Sequence, residues 1–356
     1  MKHLVKRMTA LAAALLIALC SLAGCKQVDG ERIAVTINGE DYGISEASLY
    51  FYYMQYMTET GMYSIIGSLY GGTASYWAAS FDDYSPVNAC REDSMAMLIQ
   101  TKILNKEAEK DGVTLTAEEE EKVTTATNKF MREYQLVVKN AGASKDDVAT
   151  FVRENAIANK EYAFLTDGID TVIDEELAIR KRVRGVSIMA ANGEDGKPLS
   201  SDEQKAAVLK YVDDIKKYMK DGMEGSDIED EMKEMKDVSV YSLGELAIEK
   251  PEEDEDPEMS SYEELGWSLN KGDIDSLTMV NKADRWVTYI FLCLDDNDPE
   301  FRAEAEANVL KERRKEMFEE KYPDILKKYN KIHVYEDVTG KLVINETMYN
   351  GDDVVY

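Results

Sequence analysis

The sequence predicts an α+β protein in which a mainly helical domain, built from both ends of the chain, carries an inserted α+β domain. Two patterns lead to this prediction. Strand patterns at residues 32–37 and near the C-terminus enclose a helical region. Beyond Gly185, short strand patterns alternate with amphipathic helices. We therefore assign residues 25–181 and 297–356 to the helical domain, with its terminal strands paired, and residues 182–296 to the inserted domain.

The first 25 residues have the pattern of a lipoprotein signal. Basic residues precede the apolar run ALAAALLIALCSLA, and Leu22-Ala23-Gly24-Cys25 closes it as a lipobox. This run is short for a transmembrane helix and ends in a small-residue cleavage site. We expect removal of residues 1–24 and lipid attachment to the Cys25 thiol, which anchors the chain at the extracytoplasmic face of the cell membrane. The alternative is an uncleaved anchor helix.

The charge balance argues against several classes of site and partner. The chain has 70 acidic and 42 basic residues, and removal of residues 1–24 leaves a net charge of −31. A surface this acidic disfavours nucleic-acid binding. His333 is the single histidine after cleavage, which argues against a His-rich metal site and a histidine-based catalytic triad. We expect no metal and no cofactor, and we expect Cys90 and Cys293 to be buried free thiols.

Local signals mark the helices of the helical domain. The strand at 32–37 runs into the turn signal Asn38-Gly39 and then into a helix that should begin at a Ser45 cap. The run from Arg91 predicts a helix that Gly112 ends. A capping box at Thr116-x-x-Glu119 opens the next helix. Two more helical patterns follow at 130–139 and 145–165.

The C-terminal segment begins with a helix signal. Asp298 is a suitable cap and Pro299 suits the first helical position, so a long charged helix should start there and stop at Pro323. The run KIHVYEDVTGKLVI then predicts a strand or a hairpin.

The inserted domain begins at the basic run RKRVR, which precedes the strand pattern GVSIM. A helix follows with apolar residues from Val208 to Met219 on one face and Gly222 at its end. The strand patterns VSVYSLGELAI and WVTYIFLCL flank the acidic run EKPEEDEDPEMSS and the short helix YEELGWSL. Two interpretations of the basic run stay open, a contact for acidic groups on a partner and an intramolecular role beside the acidic residues of this domain.

Nine of the tyrosines lie between Tyr42 and Tyr84, together with Trp77. One interpretation is a core helix followed by a Gly-rich loop, GSLYGGTASYW. The other is an aromatic surface that grips polypeptides, because aromatic side chains give a large contact area at low entropic cost. The candidate residues for client binding are Tyr52, Tyr56, Tyr70 and Trp77.

Two segments resemble known extracytoplasmic foldases. The run REDSMAMLIQTKILNKEAEKDGVTLTAEEEEKV is similar to the helical domain of PrsA/SurA-type foldases, and VTINGEDYGISEASLYFYYM is similar to their first strand, turn and helix. The segment from Val183 to Asp295 resembles a parvulin-type peptidyl-prolyl isomerase domain, with YEELGWSLNKGDID as its most specific piece. The resemblance covers nearly all of the chain after the signal and implies a chaperone with an inserted isomerase-like domain.

The isomerase-like domain departs from the family pattern at its histidines. The resemblance places one histidine where this chain has Gly185 and another where it has Tyr289. Tyr262 and Trp267 keep the aromatic character of the proline pocket, and Met259 lies near the position of a pocket methionine. The pocket is therefore a degenerate one, no catalytic residue is assigned, and the resemblance implies weak or lost catalysis.

The leading hypothesis is a membrane-anchored foldase that binds unfolded or newly translocated secreted polypeptides, and the sequence is compatible with a homodimer. An active peptidyl-prolyl isomerase is the first alternative. The second alternative is a surface lipoprotein that binds a ligand or mediates adhesion. Solute-binding lipoproteins are usually built from two α/β lobes, whereas the N-terminal half of this chain is predicted to be helical. The acidic run lacks the spacing of a calcium loop and is interpreted as a solvated loop.

Overall fold

The computed structural model describes residues 27–28, 31–80, 84–192, 199–251, 257–344 and 346–349. For residues 27, 28, 31 and 257–260 it describes the backbone only. The predicted signal segment with Cys25 and positions 252–256 of the acidic run lie outside these ranges. Within the described ranges, no helix combines the length and apolar character needed to cross a membrane.

Contacts between Cα atoms divide the chain into two compact units. The helical unit comprises Met1–Gly168 and Arg314–Tyr356, and the mixed unit comprises Ile169–Arg313. The sequence had placed the two junctions after residues 181 and 296. Helices and antiparallel sheets are both present, so the prediction of an α+β fold is confirmed.

The described residues form eight strands and fourteen helices. The strands are β1 (Gln27–Val28), β2 (Glu31–Ile37), β3 (Glu40–Gly43), β4 (Lys181–Ala190), β5 (Val238–Ile248), β6 (Ile274–Val280), β7 (Trp286–Asp295) and β8 (Ile332–Val334). The first seven helices are α1 (Ile44–Gly61), α2 (Tyr63–Tyr70), α3 (Thr73–Ala78), α4 (Pro86–Asp111), α5 (Ala117–Glu133), α6 (Gln135–Ala141) and α7 (Lys145–Leu165). The others are α8 (Glu175–Ala178), α9 (Ser201–Lys210), α10 (Val212–Lys220), α11 (Gly225–Glu231), α12 (Pro257–Ser268), α13 (Pro299–Lys328) and α14 (Glu336–Thr339).

A small antiparallel sheet in the helical unit contains strands from both ends of the chain. Strand β2 pairs with β1, β3 and β8, and Val35 lies opposite Val334. Asn38 and Gly39 turn the chain between β2 and β3 at φ values of 49° and 92°. Few residues other than glycine and asparagine adopt positive φ readily, which explains why this pair predicted the turn.

Helix α1 lies at the centre of the helical core. Ala47, Tyr50 and Phe51 are fully buried on it. The ring of Tyr50 meets the ring of Phe151 edge to face, with centroids 4.8 Å apart, and Phe130 lies 5.6 Å from Phe151. Helices α1, α5 and α7 are thus joined by aromatic packing, which explains much of the tyrosine content of this segment.

The cap signals were accurate at several helix ends. Thr116 and Glu119 form the predicted capping box of α5, and Gly112 ends α4 at a φ of 73°. Helix α4 begins at Pro86, five residues before the predicted start at Arg91, because Pro86 suits the first helical position. Helix α1 begins at Ile44 and has no side-chain cap, so the prediction of a Ser45 cap is wrong.

The predicted Gly-rich loop is instead two short helices. Helices α2 and α3 are separated by Gly71 and Gly72 alone, which have φ values of 72° and 132°. Ile66 is fully buried on α2, and Tyr76 and Trp77 are buried on α3. Glycine costs a helix about 1 kcal/mol relative to alanine, whereas burial of one large apolar side chain contributes about 1.5–3 kcal/mol. The free energy gained by burying these side chains therefore exceeds the cost of glycine in the helix.

Helix α13 continues through Pro323, where the sequence predicted its end. Proline removes one intrahelical hydrogen bond and costs a helix about 3 kcal/mol. Phe318 on one side of the proline and Ile325 on the other are both buried, as is Tyr329 just beyond the helix. Burial on both sides of Pro323 offsets this loss. After β8 the chain forms helix α14 rather than a hairpin.

The mixed unit is a four-stranded antiparallel sheet with helices on both faces. Its strand order is β5-β4-β7-β6. Ile188, Ile215 and Ile290 belong to the apolar core under α9, α10 and α11, and Val183 and Phe291 belong to a separate core beside α12. The single helix predicted from Val208 to Met219 is divided at Tyr211 into α9 and α10. Strand β6 was not recognised in the sequence.

Helix α7 carries a buried carboxylate. The side chain of Glu161 is fully buried, and neither of its oxygens has a hydrogen-bond partner among the residues that the structure describes. Burial and, after it, the neighbouring Asp111 raise the pKa of Glu161 to about 7. The folded chain therefore holds a proton on this group at a pH at which the unfolded chain has released it.

We expect the Glu161 contribution to stability to be complete below about pH 4.3, the ordinary pKa of glutamate, and to be lost as the pH rises to about 7. Glu161→Gln keeps the shape and cannot ionise, so it should raise the free energy of unfolding at pH 8 by about 1–3 kcal/mol relative to the parent. Urea unfolding at pH 4.5 and pH 8 measures the difference. Glu121→Gln, at an exposed position of α5, is the control, and equal stability of Glu161→Gln and the parent at pH 8 would contradict the prediction.

Candidate functional site

Strands β4 and β7 of the mixed unit bring two of the predicted pocket positions together. Gly185 lies opposite Phe291, and Ser187 lies opposite Tyr289. Successive side chains of a strand point to opposite faces, so positions 185 and 187 share a face with Tyr289 and Phe291. Tyr289 is half-buried on this face.

Helix α12 adds Tyr262 to the same face. The ring of Tyr262 meets Phe291 edge to face at 4.7 Å and Tyr289 at 5.3 Å. Burial, and to a lesser degree Tyr289 and Glu263, raise the pKa of Tyr262 to about 12, so its phenol stays neutral at physiological pH. The three rings form what we call the aromatic face: Tyr262, Tyr289 and Phe291.

Gly185 lies directly against this face. A Cβ atom at this position would lie 3.0 Å from Cβ of Leu243 and 3.0 Å from Cε1 of Phe291. Both distances are shorter than ordinary van der Waals contact, so any side chain at this position has to displace Leu243 or Phe291. The packing around position 185 therefore suits glycine, which supplies no polar side chain.

The other two pocket candidates lie elsewhere on α12. Trp267 packs against the same small core, and Lys181 Nζ lies 5.2 Å from the centre of its indole ring and donates to the Trp267 carbonyl oxygen at 2.6 Å. Met259 is in the first turn of α12, where the structure describes the backbone only. Phe291 was not singled out in the sequence, although its spacing of two from Tyr289 placed it on the same face.

The aromatic face continues across the sheet. Leu277 lies opposite Tyr289, and Tyr241, whose exposed fraction is 46%, lies opposite Ser187. Cys293, also on β7, is buried, and burial raises the pKa of its thiol, which makes it a poor nucleophile. Apolar contact is the chemistry that this arrangement offers.

The four aromatic residues proposed from the sequence as client contacts divide into two pairs. Tyr52 and Trp77 are each 6% exposed, and the Trp77 indole donates to Glu59 Oε1 at 2.8 Å. For these two the prediction of an exposed surface position is wrong, because both side chains are buried. Tyr56 and Tyr70 are half-buried against other tyrosines.

A different set of side chains forms an exposed apolar surface on helix α2. Tyr63, Ile65 and Leu69 of α2 are 39%, 42% and 64% exposed, and we call them the α2 surface. Ile65 and Leu69 are one helical turn apart and therefore adjacent. Of these three residues, Tyr63 also lines a cavity of about 530 Å³, together with Gly67, Gly71 and Thr347 among others. The sequence did not predict this surface, and its most exposed member, Leu69, lies in the predicted Gly-rich loop.

The three arginines of the basic run at the start of β4 pair with acidic residues of the mixed unit. Arg182 Nε and Nη2 donate to both carboxylate oxygens of Asp298, at 2.7 and 3.1 Å, and Nη1 donates to Glu245 at 3.0 Å. Arg184 lies 2.8 Å from Glu224, and Arg180 pairs with an acidic residue in the same way. These contacts favour the intramolecular interpretation of the run.

Comparisons with known proteins give matches among solved structures. No family model and no curated protein matches the sequence. Among solved structures the chain is similar to a SurA-like chaperone of Campylobacter jejuni, with 14% identity, a TM-score of 0.30 and coverage of 85% of this chain and 98% of that chain. It is also similar to the foldase PrsA of Lactococcus lactis (13% identity, TM-score 0.30, covering 88% and 99%) and of Streptococcus pneumoniae (13%, 0.31, 70% and 88%).

Proposed function

We propose that this protein is an extracytoplasmic chaperone that binds unfolded secreted polypeptides and is anchored to the membrane by lipid on Cys25. The observation that carries the proposal is the α2 surface, where Ile65 and Leu69 expose apolar side chains one helical turn apart. Apolar surfaces of this kind mark binding sites for other chains. A small aliphatic surface makes no demand on a partner's sequence, which suits a binder of many clients.

The charge of the chain supports the same role. The net charge of −28, or −31 after removal of the signal, keeps a complex with exposed client segments from self-association. The aromatic face of the mixed unit supplies a second apolar contact area. Each area gives modest affinity, and two areas on one chain bind a long unfolded client more tightly than either alone.

We expect the double variant Ile65→Asp/Leu69→Asp to lose at least half of the ability to keep an unfolded secreted protein from aggregating, since charged side chains at these positions must be desolvated by the client. Light scattering of a chemically denatured secreted protein, diluted into buffer with an equimolar amount of each variant, measures this. Both positions are exposed, so the melting temperature should change little.

The matched control is Thr124→Asp/Asn128→Asp on α5. It adds the same two charges one helical turn apart at exposed positions of another helix. Full protection from this control and reduced protection from the α2 variant support the proposal. Equal protection from all three proteins, or none from the parent, would refute it.

We further propose that the mixed unit binds proline-containing segments on its aromatic face and accelerates their isomerisation little or not at all. Rotation about an X-Pro bond has a barrier of about 18–20 kcal/mol, and catalysis needs polar groups around the twisting amide. Gly185 contributes none, and Tyr289 is a phenol whose ordinary pKa is about 10, so it cannot replace an ionisable imidazole. Tyr262 and Phe291 can still hold a proline ring.

NMR exchange spectroscopy on Xaa-Pro peptides tests this proposal. We expect the rate of exchange between the cis and trans forms to stay within about twofold of the rate without protein. Uncatalysed exchange of an X-Pro bond takes tens to hundreds of seconds. Tyr262→Ala should weaken peptide binding, seen as smaller chemical-shift changes. Strong acceleration that disappears in Tyr289→Phe would establish the active isomerase instead.

A further inference from the structure

The C-terminal segment lies on the helical unit in the manner of a bound peptide. Residues 342–344 and 346–349, which we call the C-terminal strap, belong to no helix or strand. Met348 is 3% exposed and Leu342 is 5% exposed, and both belong to the helical core. The strap therefore buries two apolar side chains in the helical core, and its backbone is held by hydrogen bonds.

Side chains of the helices hold the strap through its backbone. Glu59 Oε2 accepts hydrogen bonds from the backbone N–H groups of Met348 and Tyr349, at 2.6 and 2.9 Å. Gln55 Nε2 donates to the carbonyl oxygen of Glu346 at 2.9 Å. Two more backbone carbonyls of the strap accept from the helices: Tyr52 donates to Val343, and Arg91 donates to Leu342 at 2.7 Å.

Glu59 is the central group of this arrangement. It is fully buried, and its other oxygen accepts from Gln55 at 2.7 Å and from the Trp77 indole at 2.8 Å. An isolated carboxylate in a core is costly, and here its charge is balanced by four N–H donors. Two of the four donors belong to the strap. Without the strap, Oε2 of Glu59 therefore loses these two donors.

These contacts recognise features that every polypeptide shares. Glu59, Gln55 and Arg91 bind backbone N–H and carbonyl groups, and the deep apolar positions are those of Leu342 and Met348. We propose that the groove lined by Glu59, Gln55, Tyr52, Arg91 and Trp77 is a polypeptide-binding site. The C-terminal strap is its resident ligand and competes with segments of unfolded clients. A competing segment presents an apolar residue whose backbone N–H, together with that of the next residue, is free to donate to Glu59.

The proposal extends the chaperone role and rests on it for the origin of the ligand. It also sets a chemical restriction. Proline has no N–H group, so a segment with proline at the positions of Met348 and Tyr349 offers Glu59 no donors and should be excluded. The α2 surface adjoins the groove, since the Tyr63 ring lies 5.1 Å from the ring of Tyr349.

Peptide binding to the full chain tests the site. The probe is a fluorescein-labelled peptide with the sequence KLVINETMY, which corresponds to residues 341–349. We expect Met348→Asp, which removes the buried anchor of the resident strap, to bind the probe at least about tenfold more tightly than the parent. Adding Glu59→Gln to this variant should weaken probe binding by about tenfold or more, because one N–H acceptor and the charge are lost. Thr124→Asp, which adds a charge on α5, should match the parent.

An unlabelled peptide with proline at the last two positions should fail to compete, whereas the unlabelled parent peptide should displace the probe. Equal affinity of Met348→Asp and the parent, or competition by the proline peptide as strong as that by the parent peptide, would overturn the proposal. Circular dichroism verifies that each variant is folded.

Hydrogen exchange on the parent chain gives an answer even where Met348→Asp does not fold. The backbone N–H groups of Met348 and Tyr349 should exchange several-fold faster when unlabelled KLVINETMY is added at about 1 mM, the range of effective concentration of a tethered segment. Unchanged exchange would overturn the site. A reduced, unfolded secreted protein should act as the peptide does. Faster exchange with the peptide but not with the unfolded protein would keep the site and refute its use by clients, while the aggregation assay tests the chaperone role separately.

Discussion

A chain that ends after Arg313 is expected to lose the folded structure of its helical unit. The deletion removes β8, which pairs with β2, and it removes Phe318, Ile325 and Tyr329 from the core. Burial of each large apolar side chain contributes about 1.5–3 kcal/mol, and the net stability of a domain is about 5–15 kcal/mol. The lost side chains together with the lost strand therefore match or exceed the stability of the whole unit.

The buried polar groups of the helical unit increase this effect. The hydroxyl of Tyr329 donates to Glu107 Oε1 at 2.8 Å, and Lys328 Nζ donates to Glu107 Oε2 at 2.7 Å. Of the hydrogen bonds found to Glu107 in the described ranges, the one from Lys110 on the same helix is left when residues 314–356 are removed. A buried charge that loses partners destabilises a fold by more than the partners contributed.

The comparison chain replaces residues 169–313 by a flexible Gly/Ser linker of about ten residues, which spans about 15–20 Å on average. This chain keeps every segment of the helical unit and should show cooperative unfolding in urea, followed by far-ultraviolet circular dichroism. The chain that ends after Arg313 should show no cooperative transition. A cooperative transition of similar midpoint in that chain would contradict the prediction and show that the C-terminal segment is dispensable for the core.

Cys25→Ala is expected to move the protein almost entirely out of the membrane fraction or to leave it unprocessed. The lipobox offers a single thiol for lipid attachment, and each buried CH₂ of an acyl chain contributes about 0.8 kcal/mol to membrane binding. Two or three acyl chains on one residue hold a protein stably, and their loss leaves an acidic chain that an anionic membrane surface repels.

Cell fractionation followed by immunoblotting measures this change, with metabolic labelling by a fatty acid as a second readout. Cys20→Ala is the matched control, since it removes a thiol from the apolar run and leaves the lipobox intact. It should remain in the membrane fraction and keep its label. Membrane retention and processing of Cys25→Ala at the level of the parent would show that the signal segment itself is the anchor.

The candidate site was predicted in part from the sequence. The resemblance groups Tyr262, Tyr289 and Gly185 in one pocket, and the structure has the two tyrosine rings 5.3 Å apart with Gly185 opposite Phe291. The role of Phe291 could not be derived, because many apolar side chains of a buried strand have the same pattern in sequence. Glu59 could not be recognised either, since its partners Met348 and Tyr349 lie 289 and 290 positions away.

The sequence by itself determined the local features of this protein. The turn at Asn38-Gly39, the capping box at Thr116 and the helix end at Gly112 depend on backbone angles and hydrogen bonds within a few residues, and each formed where the sequence predicted it. Asp298 likewise caps α13, accepting from the N–H groups of Glu300 and Phe301 at 3.0 Å.

The tertiary structure decided the features in which local preference and burial disagree. Pro323 should end a helix and Gly67 should weaken one, yet α13 and α2 continue because Phe318, Ile325 and Ile66 are buried along them. Burial also decided which aromatic residues are core and which are exposed, since tyrosine and tryptophan suit both. A side chain becomes buried through contacts with distant segments, and the free energy of those contacts exceeds the local preference that a sequence pattern records.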